Sequence, residues 1–261
     1  VKPLSRLPVE EARRLRGLLF DLDDTLLTHG QLTREAYGAL WDLHGVGLKL
    51  VAVTGRPSAW GEVLARQWPV VGFVTENGAV HVVREKAGVS RRDACSEEER
   101  RSRRMRLARI VERVREVVPE ARLTDDMDGR RSDVTWDVGE RVKLPPDRIA
   151  LATREIEAAG ARWSCSSVHL HATYDADDKA SGALRFLAEQ LGEEPASALV
   201  RYGFVGDSGN DAACFSAFRT TFGVANVRGA LARLSLPPRF VASAAMGAGF
   251  AETAREILDR R

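Results

Sequence analysis

The sequence predicts an α/β protein in which two separate stretches of chain build a parallel-sheet core, with an α+β segment inserted between them. Three observations predict this. From Gly17 to Asn77 short apolar runs alternate with amphipathic stretches. The same alternation resumes at Asp178 and continues to a closing amphipathic stretch at Phe250–Leu258. Between about Val82 and Asp175 the character changes to a long charged segment, a further amphipathic stretch and brief strand-like pieces. Strand–helix–strand units at the first spacing are what a parallel sheet with right-handed crossovers requires.

Each element follows from its own residues. Within residues 1–16 only Glu10–Leu15 reads as helical, an N-terminal extension to the core. Gly17-Leu18-Leu19-Phe20-Asp21-Leu22 is a buried-strand run that ends in acids. Leu32, Ala36, Ala39, Leu40 and Leu43 recur at helical spacing through His44, Leu48–Val53 is a second strand, Pro57–Gln67 a helix and Val70–Thr75 a third strand. In the insert, Ser96–Val118 places Leu107, Ile110, Val111, Val114, Val117 and Val118 on one helical face. Arg130–Val138 is strand-like, Asp147–Ala159 helical, and Arg162–Cys165 and Val168–Thr173 are short strands. The return pass reads helix (Asp178–Leu191), strand (Arg201–Val205), helix (Asn210–Phe218), strand (Thr221–Val224) and the closing helix. The expected domains are a discontinuous Rossmann-like core, residues 1–81 and 176–261, and an α+β cap domain, residues 82–175.

Composition excludes several classes. At 44% hydrophobic and 29% charged, the chain is neither disordered nor fibrous. Thirty-nine basic against 37 acidic side chains leave a net +2, so no global field marks a nucleic-acid or membrane partner. The cysteines, Cys95, Cys165 and Cys214, lie far apart and rule out a disulfide framework or a cysteine zinc cluster. No apolar run reaches the ~18–20 residues of a membrane span, and Val1–Arg6 lacks a signal-peptide core. The expectation is a cytoplasmic protein, monomer or weak homodimer, with a small-molecule partner.

The chemistry-bearing residues sit at the ends of the expected strands, where open α/β sheets bind ligands. Phe20-Asp21-Leu22-Asp23-Asp24-Thr25 closes the first strand, and Gly206-Asp207-Ser208-Gly209-Asn210-Asp211 follows the strand Tyr202-Gly203-Phe204-Val205. Either cluster alone would pass for a turn or a helix cap. Two acidic strand ends in one sheet would repel each other unless a hard divalent cation, above all magnesium, neutralised them. Val53-Thr54-Gly55-Arg56 offers a hydroxyl and close backbone amides before a helix, which suits an anion. Lys179 is one of only five lysines in an arginine-rich chain and follows Asp177-Asp178 at a helix start. There it would hold a phosphoryl group against the nucleophile.

In this order the four segments resemble the four motifs of the haloacid dehalogenase superfamily, specifically phosphatases with a large cap between the second and third motifs. The match is to subclass IIB, which includes Cof-like, sucrose-phosphate, trehalose-phosphate and mannosylphosphoglycerate phosphatases. Glu76-Asn77-Gly78-Ala79 and Gly223-Val224-Ala225-Asn226 add to it. The resemblance implies a magnesium-dependent phosphatase. Asp21 would be the nucleophile, and Asp23 the general acid and then base. Magnesium would be held by Asp21, the Asp23 carbonyl and Asp207, with Asp211 acting through water. Thr54, Gly55 and Lys179 would bind the phosphoryl oxygens, and Asn210 would orient Lys179 or the phosphate. Asp24 stands where the family usually has glycine. Arg56, Arg131 and His171 are the candidate substrate readers.

Other features point to bland roles. Thr124–Gly129 has an acidic pattern, yet Thr124 and Thr135 stand at the first and twelfth positions of a calcium loop, so an acidic turn is expected. The run Arg100–Arg104 with Arg106 is read as a solvated, ion-paired helix face. His169 and His171 alternate on one strand and would share a face toward the substrate. The competing functions are a sugar phosphomutase using the same chemistry, and a non-catalytic metabolite- or nucleic-acid-binding module.

Overall fold

The computed structural model describes residues 1–261, the Arg233 side chain excepted. The first pass of the chain forms β1 (Lys2–Pro3), α1 (Val9–Arg14), β2 (Gly17–Phe20), α2 (Arg34–Gly45), β3 (Lys49–Val53), α3 (Ser58–Gln67), β4 (Gly72–Thr75) and the hairpin β5 (Val80–Glu85) and β6 (Gly88–Asp93). The insert contributes α4 (Glu97–Val117), β7 (Arg122–Leu123), β8 (Asp133–Asp137), α5 (Pro146–Ala158), β9 (Arg162–Cys165) and β10 (His169–Thr173). The second pass adds α6 (Lys179–Leu191), α7 (Pro195–Arg201), β11 (Tyr202–Gly206), α8 (Ala212–Ala217), β12 (Thr220–Gly223), β13 (Phe240–Val241) and α9 (Met246–Asp259).

The main sheet has nine strands in the order β1-β13-β12-β11-β2-β3-β4-β5-β6. It is parallel from β1 to β4, and only the β5–β6 hairpin runs antiparallel. Its central strands are apolar throughout because both faces are covered. Leu18, Phe20, Leu50 and Ala52 pack with α2 and α9, through Leu40 and Phe250 among others. Leu19, Val51 and Val53 pack on the opposite face against Ala183, Phe186 and Leu187 of α6. At ~2–5 kcal/mol for truncating such a buried leucine to alanine, these strands hold the site's frame firmly.

The second sheet, β7-β8-β10-β9, is antiparallel. Its two-residue alternation separates two faces. Val134, Trp136, Leu170 and Ala172 pack with Leu107, Ile110 and Val114 of α4 and Ile156 of α5. Asp133, Thr135, Asp137, His169 and His171 occupy the alternate positions, on the other face.

Three expectations change, and one is sharpened. The border at Val82 is placed too early, because β5 and β6 are hydrogen-bonded to β4 and extend the main sheet to Asp93. Residues 1–16, read as an extension within the expected core range, are packed into it: Leu4, Leu7, Ala12 and Leu15 are buried there, and buried Glu11 accepts from Thr220 Oγ1 (2.6 Å) and pairs with Arg239. Val117 is exposed, because the buried face runs through Ile110, Val114 and Val118 at four-residue spacing and Val117 falls beside it. Arg100 is buried, not solvated: its guanidinium clamps Asp93 and Asp175, the last residues before and after the insert (Nη1 to Asp175 Oδ2, 2.5 Å). Among the described residues no helix is long and apolar enough to cross a membrane.

Candidate active site

Three adjacent strands bring the motifs together. β11, β2 and β3 are neighbours, so Asp207, Asp21 and Thr54 emerge side by side at one edge of the sheet. The Asp21 amide still belongs to the ladder, donating to Val205 O at 2.9 Å. The chain then turns sharply through residues 22–26, with Asp24 in the left-handed region (φ 57°). Aspartate tolerates this conformation better than most side chains, which is why Asp24 can stand at a glycine position.

The second acidic segment is preorganised by its own backbone. Asp211 Oδ2 accepts from the amides of Asp207 (2.9 Å) and Ser208 (3.1 Å). A Cβ at Gly206 would lie 2.5 Å from that same oxygen, so only glycine permits this turn. Asp207 is fixed by Thr25 Oγ1 (3.2 Å) and by Asn226 Nδ2 (2.9 Å). Lys179, at the start of α6, is 1% exposed and donates to Asp21 Oδ1 and Asp211 Oδ1, each at 2.6 Å.

Carboxylate oxygens of Asp21, Asp207 and Asp211 all lie within 4.8 Å of one another in this buried cluster. Burial raises the Asp21 carboxyl to about 7; Lys179 opposes the shift, while Asp211 and Asp23 add to it. Asp207 is likewise pushed well up by burial and by Asp211 and Asp21. One lysine therefore leaves the cluster short of positive charge, which a hard cation with oxygen ligands would supply. The donor set fits magnesium. Asp211 has both oxygens engaged by Lys179 and the backbone, which leaves Asp21 and Asp207 as the freer donors.

On the opposite side stands Arg56, its side chain 4% exposed. Its Nε and Nη2 grip the two oxygens of Asp23 at 2.8 Å each, and Nη2 also donates to Glu140 Oε1 at 2.8 Å. Thr54 Oγ1 accepts from the Arg56 amide at 3.0 Å, which shapes the Thr54–Arg56 turn. A Cβ at Gly55 would come within 2.9 Å of His171 Nε2, so the insert closes directly over this glycine. His171 Nδ1 donates to Asp133 at 3.0 Å, and burial pushes the imidazole down to about 4, leaving Nε2 as a bare acceptor facing the core. A small cavity is lined by Asp21, Asp23, Gly55, His171 and Asn210, together with His169, Ser166 and Ser208.

Of the expected site residues, Asp21, Asp23, Thr54, Gly55, Lys179, Asp207, Asp211, Arg56 and His171 are gathered here. One is not where expected. Arg131 turns outward at 30% exposure to pair with Asp93 and Glu97, because it follows the tightly bound Arg130 on an edge leading into β8. Asn210 lines the cavity with its Oδ1 accepting from Ser208; of its two expected roles, Lys179 is instead held by Asp21 and Asp211, and a contact with phosphate remains a proposal. Several participants have no role assigned by the sequence alone. Arg130 is buried and ties the insert to the core through Gly55 O (2.8 Å). Glu76, in the left-handed region (φ 52°), receives the amides of Ser58, Arg131 and Ser132. Glu140 pairs with Arg56 and His169. An acid next to a glycine in the insert carries no signal that separates it from ordinary surface charge.

No protein-family model matches the chain, and no curated protein matches it. Solved structures do. A protein of Thermoplasma acidophilum aligns over 94% of this chain and 98% of its own, with 19% identity and a TM-score of 0.73. The sucrose-phosphatase of Synechocystis, solved with sucrose and phosphate, aligns over 93% and 98%, with 15% identity and a TM-score of 0.65. A subclass IIB sugar phosphatase of the haloacid dehalogenase superfamily aligns over 94% and 98%, with 18% identity and a TM-score of 0.61. The chain thus has the Rossmann-like fold with a cap domain found in haloacid dehalogenase superfamily phosphatases.

Proposed function

We propose that this protein is a magnesium-dependent phosphomonoester hydrolase acting on a small phosphorylated metabolite, with a sugar phosphate as the substrate class. The reading is supported most by one arrangement: Asp21, held by Lys179 at 2.6 Å, beside the buried acids Asp207 and Asp211. The fold neighbours that act on sugar phosphates support the substrate class.

Asp21, Asp207 and the Asp23 carbonyl would hold magnesium, with Asp211 behind them. The ion would supply charge neutralisation to the acids and to the phosphoryl oxygens. In the first half-reaction Asp21 attacks phosphorus, the ester P–O bond breaks, and the leaving oxygen takes a proton from Asp23. In the second, water attacks phosphorus of the aspartyl phosphate, gives its proton to Asp23 and releases Asp21. Lys179 stabilises charge on the transferring group, while Thr54 and the Gly55 amide position its oxygens. Arg56 donates one hydrogen bond to each Asp23 oxygen, which leaves a second lone pair on each to carry the proton.

The test is release of inorganic phosphate from a panel of phosphosugars, phosphoglycerates, nucleotides and an aryl phosphate, with magnesium and with chelator. Magnesium-dependent release that Asp21→Asn abolishes is expected. Isomerised sugar phosphate without free phosphate would indicate a mutase, and inactivity on every substrate would overturn the enzymatic reading.

A further inference from the structure

The main sheet has a second charged end. Arg16 immediately precedes β2, Lys49 opens β3 and Tyr202 opens β11, so they mark the starts of the three strands whose far ends lead to Asp21, Thr54 and Asp207. At ~3.3 Å per residue, these strands keep the two ends ~15 Å apart. The ladder fixes the starts side by side. The Arg16 amide donates to Arg201 O (2.7 Å), and the Lys49 amide donates to Arg16 O (2.9 Å).

A pocket of about 360 Å³ opens at this end, lined by the exposed residues Arg13, Arg14, Arg16, Lys49 and Arg261. Its floor is built on the buried Tyr202 ring, which sits over the start of β2: a Cβ at Gly17 would lie 2.3 Å from Tyr202 Cε1. One acid lines the same pocket. Glu193 accepts from Tyr202 Oη (3.0 Å) and pairs with Arg16 (3.2 Å), so its charge is already compensated. Arg13 Nε donates to the main-chain oxygen of Arg261 (3.1 Å), and Arg261 Nη1 donates to the carbonyls of Ala12 (3.1 Å) and Leu15 (2.7 Å). The side chains of Arg14 and Lys49 have no hydrogen-bond or ion-pair partner among the described residues. Elsewhere the chain surrounds its clustered arginines with acids, as Arg56 and Arg100 show. Here like charges gather around a concave surface, where the field they share draws in anions.

We propose that this pocket is a second anion site, separate from the candidate active site, and that it binds a small ligand carrying two or more linked phosphates. A guanidinium fork meets phosphate oxygens in pairs, and Lys49 adds a mobile point charge. One phosphate group engages only part of the rim. A chain of phosphates reaches from Arg14 across to Lys49 while Arg16 stays with Glu193. The concave shape and the volume suit a small molecule better than a nucleic-acid backbone, which basic stripes track. The proposal goes beyond the phosphatase reading and does not depend on it.

The test is calorimetric titration of the full chain with inorganic tripolyphosphate, in chelator so that no metal draws the probe to Asp21. The wild type should bind one equivalent saturably, more weakly as salt rises, and should bind orthophosphate about tenfold less tightly or worse. Arg14→Ala combined with Lys49→Ala should weaken tripolyphosphate about tenfold or more, with the unliganded melting temperature unchanged because neither side chain has a partner to lose. Arg101→Ala combined with Arg109→Ala removes the same charge from exposed positions on α4 and should leave affinity within about twofold. Asp21→Asn should also leave it unchanged. Absence of saturable binding, equal weakening by the two double variants, orthophosphate binding as tight as tripolyphosphate, or a dependence on Asp21 would each overturn the proposal. A single-stranded oligonucleotide that binds more tightly than tripolyphosphate and is lost in the Arg14/Lys49 variant would assign the surface to nucleic acid and overturn the small-ligand proposal.

Discussion

Lys179 Nζ lies 2.6 Å from Oδ1 of Asp21, a residue 158 positions earlier in the chain. The distance from the same ammonium to Asp211 is also 2.6 Å, and all three groups are buried. The pairing joins the two passes of the core, so the insert's two linkers emerge from a frame that one buried cation locks.

Replacing Lys179 by methionine keeps the volume and removes the charge. Asp21 and Asp211 are then buried without their counter-ion, and breaking a buried pair in this way costs ~3–5 kcal/mol. Denaturant unfolding in chelator should show that loss. Turnover should fall by ~10²–10³ or more, as when a transition-state donor is removed. A variant as stable as wild type with turnover within tenfold would contradict the role given to Lys179.

Without metal, Asp21 makes stability depend on pH with a definite sign. Its carboxyl is raised from 3.8 to about 7, first by burial. Between those values the folded protein holds a proton that the unfolded chain has lost, so this group favours folding more as pH falls from about 7 toward 3.8. His171, lowered to about 4, has the opposite effect below about 6.5, because only the unfolded chain takes up its proton there. The useful readout is therefore the difference from Asp21→Asn. In chelator the variant should gain melting temperature on wild type at pH 8 and lose most of that advantage by pH 5. Parallel curves for the two proteins would show that Asp21 is not raised.

The core was largely legible because each of its signals is local. Strand ends are marked by acids or glycines beside apolar runs, Lys179 opens the helix that begins the second pass, and the Rossmann-like fold with a cap follows from that order. The misreadings arise where a side chain's partner lies far away in sequence. Arg100 and Arg131 look alike on paper; one reaches Asp175, 75 positions on, and is buried, while the other stays near solvent. Arg130, next door, was passed over for Arg131, although it is the one that reaches Gly55. Likewise the β5–β6 hairpin reads as the beginning of the insert because its antiparallel rhythm breaks the parallel pattern, yet its hydrogen bonds attach it to β4.

Arg100 should act as the tie between the two linkers. Arg100→Ala leaves Asp93 to Arg131 and Asp175 to Arg103, so the two acids lose their shared guanidinium but not every partner, and the substitution should cost ~1–3 kcal/mol by denaturant unfolding. Limited proteolysis should cut within residues 94–96 or 174–178 sooner than in wild type. Unchanged stability and an unchanged cleavage pattern would remove Arg100 from this role.

Arg131→Ala is the counterpart that should do little. Its ion pairs are partly exposed, with Glu97 largely in solvent, and such pairs are worth ~0–1 kcal/mol. Catalytic efficiency on any substrate should stay within about twofold. A tenfold loss confined to the physiological substrate would put Arg131 back among the substrate readers.

Gly182→Ala tests whether the close approach of α6 to the core positions Lys179. A Cβ at this position would lie 2.3 Å from Gly78 Cα and 2.6 Å from Gly78 O, both backbone atoms that cannot rotate aside. Gly78 is pinned in turn: its φ is 113°, and Arg185 Nη2 donates to its carbonyl at 2.8 Å. Helix propensity alone favours alanine over glycine by ~1 kcal/mol. Overpacking of this kind costs ~1–3 kcal/mol, so the clash should win and the variant be less stable. The relief available is to move the first turn of α6 away from the turn at Gly78, and Lys179 sits three residues before Gly182. A misplacement of ~1 Å costs on the order of 10²-fold in rate, so kcat should fall by a large factor while KM changes less. Gly38→Ala in α2, where a Cβ meets nothing within 4 Å, should show the propensity gain alone. If both variants are equally stabilised and fully active, the packing of α6 on Gly78 does not set the position of Lys179.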